Sequence, residues 1–451
     1  MERRDFIKLA AFGLAATPFV SLGQSLKNKR VVIIGAGIAG AAAAGKLKEA
    51  GFEVVVLEAR NRVGGRILTH PFLGINAELG ANWVSYAHTA GSQIFNLTKK
   101  YGISSHKTDF SSFKLFDPSG EKIGRLRTAL FYGRFEKILS KSQTYTRGLT
   151  NDISVREAIE KFLDRSKLSA KELNILSLIE DSYCNTFAAK LEDVSAKHYL
   201  AEEDNSQEAE YLVTGGFDTV VKRLLENVNV ELNEIVKDVA EKNNRVEVAT
   251  QNKIHEGDFV IVTVPISLLQ NGAIKFSPSL PERKTKSFSS RKMGLFNKTF
   301  MHFSKKFWES DSHFQIFQTT ARRDFGICVN LHRFSKQPIL VALSTTDSAL
   351  WVERQSVETI KQTWQEILHK AYPNKEIEFK KILRTKWQSD IFSQGSYSHV
   401  PVSSTQKDVE ALIEPAGRIY FAGEATSPRE HGYVHGAFAS GIREAERIIN
   451  L

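Results

Sequence analysis

The chain has 451 residues, 42% apolar and 25% charged, a composition with material for two or three buried cores that excludes a wholly disordered or fibrous protein. Lys and Arg number 61 against 51 Asp and Glu, a net charge of +10 that is spread along the chain and reads as solvated faces, with no nucleic-acid footprint. Only two cysteines, Cys184 and Cys328, are present, which excludes a disulfide scaffold, and no apolar run reaches the roughly 18 residues of a membrane helix.

Residues 1–23 have a charged start, an uncharged stretch Leu9–Val20 and the small residues Ser21 and Gly23. That order is expected of a signal peptide. Arg3-Arg4-Asp5-Phe6-Ile7-Lys8 resembles the bacterial twin-arginine pattern, whose machinery exports folded proteins. A periplasmic or exported mature chain starting near Gln24 is therefore expected.

The β-branched run 30–34 predicts a strand, and it leads straight into Gly35-Ala36-Gly37-Ile38-Ala39-Gly40. An alanine-rich helix follows and stops at Gly51; a second strand, 54–57, ends in Glu58. Strand, glycine turn, helix and acidic residue together form the dinucleotide fingerprint. Gly35 permits the turn, Gly37 lets a pyrophosphate approach the backbone, and Gly40 lets helix and strand pack closely. The phosphate meets the helix N-terminus. Glu58 is placed to accept from ribose hydroxyls.

The continuation Ala59-Arg60-Asn61-Arg62-Val63-Gly64-Gly65-Arg66 resembles the G-G-R segment of the FAD-dependent amine oxidase superfamily. Further matches follow in order. Glu78-Leu79-Gly80-Ala81-Asn82-Trp83 is similar to the segment beside the flavin in plant polyamine oxidases, and 230–236 resembles a strand whose last valine, Val236, meets adenine. Near the C-terminus, 418–421 predicts a strand into Gly423-Glu424, and His431-Gly432-Tyr433-Val434 opens a helix running to about Asn450. The chain is identified by these motifs as resembling flavin monoamine/polyamine oxidases over most of residues 29–451.

The resemblance implies an α/β fold: a Rossmann-like FAD-binding domain assembled from 29–85, 211–290 and 388–451, and a mixed sheet-and-helix substrate domain from 86–210 and 291–387. Residues 125–200 read as mainly helical and 297–345 as alternating strands. The resemblance also implies cofactor contacts at Gly35, Gly37, Ala39, Gly40, Glu58, Ala59, Arg60, Gly65, Arg66 and Gly80–Trp83, with Val236, Trp387, Gly423, Glu424, Tyr433 and Val434 completing the cradle. Lys298 matches the lysine that holds a water near the reacting flavin atom. Tyr397 and Tyr433 match two aromatic positions that flank the amine. Ser396 stands where mitochondrial monoamine oxidases carry the flavin-bonding cysteine, so FAD is expected to be non-covalent.

The implied reaction is oxidation of an amine to an imine, with O2 as acceptor. L-amino acid oxidation on the same fold is the alternative, along with a silent flavin-binding protein. Plant polyamine oxidases place a glutamate two residues after the G-A-N-W tryptophan; here that position is Ser85, and Thr186 falls at the second carboxylate position. These departures count against polyamine specificity. The absence of arginine between Arg66 and Arg125 counts against an α-carboxylate clamp there. An acidic run, 202–204 with Glu208 and Glu210, reads as a solvated loop. The 12 histidines lack metal-ligand spacing, and no metal is expected.

Overall fold

A computed structural model describes residues 29–86, 88–200, 209–309, 312–319, 325–402 and 404–451. The expected signal peptide and most of the acidic run lie outside the described residues.

Strand Arg30–Ile34 sits in the middle of a five-stranded sheet whose order is Asn229–Leu232, Glu53–Glu58, Arg30–Ile34, Phe259–Val262, Ile419–Phe421. Every pairing is parallel. Both faces are covered, and the four strands other than the edge strand Asn229–Leu232 accordingly carry continuous rather than alternating apolar runs. One face packs against helices Ile38–Glu49 and Val434–Ile449. The other packs against a second sheet built from residues 236–277.

The first and last helices approach almost backbone to backbone. A Cβ at Gly441 would lie 2.1 Å from the Ala39 carbonyl oxygen. The opening and closing segments thus form one layer, and only small residues fit between them.

The run 230–236, read from sequence as a single strand, is two. Asn229–Leu232 belongs to the parallel sheet, Asn233 turns with φ 61°, and Val236–Lys242 starts the second sheet. Asparagine tolerates the left-handed conformation, and the amides of Asn233 and Glu234 donate to the Arg60 and Glu58 carbonyls. The break carries Val236 across the end of strand Glu53–Glu58.

A seven-stranded sheet forms the other half, in the order Phe379–Arg384, Phe296–Phe303, Ile339–Thr345, Ile327–Asn330, Phe314–Phe317, Phe113–Phe116, Lys122–Ile123. Alternation along Phe296–Phe303 divides its side chains. Met301 and Phe303 pack with Trp364 and Leu368 of helix Val357–Ala371, whereas Phe296, Lys298 and Phe300 face the opposite way. Helices Arg125–Arg147, Val155–Glu160, Ala170–Phe187 and Ala196–Leu200 build a helical lobe around their own core. Ser154 with Glu157 and Ser169 with Glu172 form reciprocal caps at two of the starts.

Candidate active site

One cavity of about 1630 Å³ runs from the glycine turn after the first strand, past Lys298, to the helical lobe. Of the cofactor and catalytic residues expected from sequence, all but Gly40 line it; Thr186 lines it as well, and Ser85 does not. Gly40 acts from behind: a Cβ there would lie 2.0 Å from the Gly35 carbonyl oxygen. Gly37 differs, because a Cβ there would meet nothing within 4 Å. The open space over Gly37 and the tight packing at Gly40 are the two conditions a pyrophosphate cradle requires.

Glu58 is 4% exposed; its carboxylate accepts from the amides of Ala36 at 2.8 Å and Arg60 at 2.9 Å. These bonds hold it at the end of its strand, facing the cavity with Val236 beside it. Arg60 donates to Ser393 at 2.9 Å, pairs with Asp390, and lies over the Phe392 ring, tying the 390–393 loop to the cradle. Phe392 and Ser393 also line the cavity; nothing in their local sequence marked them.

Arg66 donates to the Ser396 carbonyl at 3.0 Å and to Glu424 at 2.8 Å. Glu424 also accepts from the Ser398 hydroxyl and the Gly432 amide, both at 2.7 Å. Burial alone would raise the Glu424 carboxyl, but Arg66 and these donors outweigh it and hold it below its ordinary value. Helix Val434–Ile449 starts at Tyr433 without a side-chain cap, leaving its amide end toward the cavity.

Lys298 is 3% exposed. Its ammonium donates to the Glu78 carbonyl at 3.0 Å, the Gly80 carbonyl at 2.5 Å and Asn82 Oδ1 at 2.8 Å, and lies 5.9 Å from the Trp83 ring centre. Burial pulls it down to about 7, opposed by Glu78. The Glu78 carboxyl is pushed up to about 7 by burial, although it accepts from Thr69 and the Gly216 and Phe217 amides. Three acceptors around one nitrogen call for three protons, so the geometry fits an ammonium.

Trp387 is buried and donates from its indole to the Leu79 carbonyl at 3.2 Å. Tyr397 donates to the Asn185 carbonyl and packs 6.0 Å from Phe296, while Tyr433 stacks on His435 at 5.0 Å. The Ser396 hydroxyl is consumed: it donates to the Phe296 carbonyl at 2.8 Å and accepts from the Phe296 amide at 2.7 Å. Sequence reading also missed Tyr199 and His431, joined at 2.7 Å on the cavity wall. His431 lies beside a recognised motif, but Tyr199 arrives from a distant helix and had no local signal.

A dinucleotide cradle continuous with a cavity that runs on to the helical lobe is the arrangement of a dinucleotide-dependent oxidoreductase. The family model described as flavin containing amine oxidoreductase matches residues 38–449, and the chain belongs to that family. The chain is 30% identical over 448 residues to polyamine oxidase 2 of Arabidopsis thaliana, and 32% identical over 436 residues to polyamine oxidase 4 of Oryza sativa subsp. japonica. Each comparison covers 94% of this chain and 89% of the relative. The backbone is similar to that of a putrescine oxidase double mutant redesigned in its cofactor binding, with TM-score 0.77 and 22% identity over 94% of this chain and all of that one. The fold is that of amine oxidases, a FAD-binding α/β domain with a substrate domain, and the protein is a FAD-dependent enzyme that oxidises amines.

Proposed function

We propose that the substrate is an aliphatic amine carrying a second nitrogen, a di- or polyamine, and that FAD is held without a covalent bond. The observation that supports an extended aliphatic substrate is the far part of the cavity, while the second nitrogen rests on the class of the relatives. Beyond Lys298 the cavity continues between walls of Phe113, Tyr132, Leu178, Tyr183 and Thr186, apolar and hydroxyl-bearing surface suited to an extended alkyl chain. The relatives, which are polyamine oxidases, support the same class.

In this reading the cofactor residues are those lining the first chamber, from Gly35 and Glu58 to Glu424 and Val434. When bound there, FAD supplies the acceptor for two electrons and a hydrogen taken from the carbon beside the amine nitrogen. Lys298 holds a proton at the junction of the two chambers, and a water there would take one of the three bonds its ammonium makes to Glu78, Gly80 and Asn82. Tyr397 and Tyr433 flank the entering amine and exclude water. The uncapped start of the last helix offers positive potential where negative charge collects. Ser396 has no thiol and its hydroxyl is already paired, which supports non-covalent binding.

The leader Arg3-Arg4-Asp5-Phe6-Ile7-Lys8 supports twin-arginine export to the periplasm, with the cofactor loaded before the fold crosses the membrane. Arg3-Arg4 changed to Lys-Lys is then expected to trap the protein inside the cell; unaltered export refutes this route.

A second reading, oxidation of an α-amino acid, draws on Arg429, an exposed residue that lines the cavity from the loop before His431 and carries the guanidinium that a carboxylate clamp requires. Anaerobic mixing of the yellow holoenzyme with diamines, polyamines, monoamines and L-amino acids separates the two. Bleaching of the oxidised flavin band by di- and polyamines is expected; bleaching by L-amino acids alone overturns the proposal.

A further inference from the structure

The two positions where carboxylates were sought from sequence, Ser85 and Thr186, are uncharged. Strand Trp83–Tyr86, however, pairs antiparallel with Ala209–Val213, and the register sets Trp83 opposite Leu212 and Ser85 opposite Glu210. Alternate residues of a strand share a face, and directly opposed residues point the same way. Trp83, Ser85, Glu210 and Leu212 therefore occupy one face of this pair.

Their neighbours fix which face it is. Leu212 packs in the core shared with Phe300 and Leu343 of the seven-stranded sheet, and Trp83 lies below the Lys298 ammonium. Tyr211, on the opposite face, packs on Phe95 at 4.6 Å. Glu210 is accordingly on the cavity side and lines it. Opposed Cβ atoms in an antiparallel pair are about 5 Å apart, so a carboxylate at 210 reaches the space that one at 85 would occupy.

The position along the strand suits a second charge. Asn82 holds Lys298 at the junction of the chambers, and Ser85 lies three residues farther on, about 10 Å at the rise of an extended strand. The other lining carboxylates stand elsewhere along the cavity. Glu58 and Glu234 belong to the dinucleotide end, and Glu424 is paired with Arg66. Among the described lining residues, Glu210 is the carboxylate of the substrate chamber.

We infer that Glu210 is a specificity residue that anchors the distal ammonium of a di- or polyamine, supplied from the facing strand in place of a carboxylate at Ser85. This rests on the amine-oxidase reading above and sharpens its substrate class.

The test compares kcat/KM for 1,4-diaminobutane and for butylamine, which share a chain length but differ in the second charge, in holoenzyme of matched flavin content. Glu210→Gln is expected to lower the diamine-to-monoamine ratio by roughly tenfold or more, the scale for losing one partner of a desolvated charge pair. Ser85→Glu added to Glu210→Gln is expected to restore much of that ratio, an effect that a merely structural role for Glu210 would not produce. A ratio unchanged by Glu210→Gln overturns the inference while leaving amine oxidation standing. Wild-type holoenzyme reduced by butylamine with no preference for the diamine also overturns it. Failure of every amine to reduce the flavin removes the functional reading itself.

Discussion

Arg66 and Glu424 meet at 2.8 Å although 358 positions separate them in the chain. Arg66 follows the first βαβ unit and Glu424 the last strand of the same sheet, so the pair joins the two ends of the cofactor cradle. Removing one partner of a buried pair costs about 3–5 kcal/mol; the partly exposed Arg66, whose side chain is 23% accessible, places this case toward the lower end. Arg66→Ala should lower both the urea midpoint and the flavin-to-protein absorbance ratio, and Arg66→Lys should recover part of each. An unchanged flavin ratio in Arg66→Ala contradicts the role.

Gly37 and Gly40 make opposite demands. Gly37→Ala adds a methyl to open space over the cradle and should spare the apoprotein's urea midpoint while weakening flavin retention. Gly40→Ala drives a methyl into the Gly35 carbonyl and should lower both. Equal behaviour of the two variants would show that no phosphate lies over Gly37.

Lys298 donates to three oxygens from a buried site, with its pKa drawn down to about 7 mainly by burial. Lys298→Met should retain FAD but slow flavin reduction or reoxidation by about tenfold or more, a modest share of what a positioned proton-holding group contributes. The variant should also lose any inflection near pH 7 in the affected half-reaction. Stopped-flow traces of both half-reactions matching wild type would remove Lys298 from the chemistry.

Two buried histidines, His399 and His431, and two half-buried ones, His198 and His435, predict acid lability. Burial first, joined by Arg291 at His198 and by Lys292 and Arg291 at His399, lowers both to about 4; burial alone lowers His435 to about 4, and burial with Arg291 lowers His431 well below its ordinary value. Their ordinary value is 6.5. Between those values the unfolded chain binds more protons than the folded one, so stability is intact above about pH 6.5 and is lost as the pH falls toward 4. Glu78, raised to about 7, and Glu444, also raised by burial, pull the other way as two groups against four. Neither ring nitrogen of His399 has a hydrogen-bond partner among the described residues, so His399→Phe should fit the site and flatten the acid limb. Urea midpoints measured from pH 7 to 4.5 read this directly; an identical slope in the variant refutes it.

Acid precipitation of the holoenzyme should leave all of its flavin in the supernatant, because Ser396 exchanges both of its hydroxyl bonds with the Phe296 backbone. Flavin colour retained in the washed pellet would contradict non-covalent binding.

Much of the dinucleotide half was legible because its determinants are local. A β-branched strand, a glycine turn and an alanine-rich helix are each specified within a few residues, and strand Arg30–Ile34 and the helix Val434–Ile449 both fall close to where the sequence places them. Lys298 was legible through the motif around it, but not its three acceptors, which come from a segment more than 200 positions away. The break at Asn233 was missed because Val and Leu on either side make a convincing extended run; a turn held by the Arg60 and Glu58 carbonyls overrides that propensity.

By itself the sequence determined the family-wide chemistry: where a dinucleotide turn forms, which lysine and tyrosines are available, and that no cysteine stands at position 396. Only the tertiary structure decided which distant groups share a space. Glu210 belonged to an apparently solvated acidic stretch until strand pairing set it opposite Ser85, and Arg66 had no visible partner until the closing strand delivered Glu424. The reason is physical. Backbone propensity and steric fit act over neighbouring residues, whereas the charge environment of a cavity is a sum over every segment the fold brings to its walls.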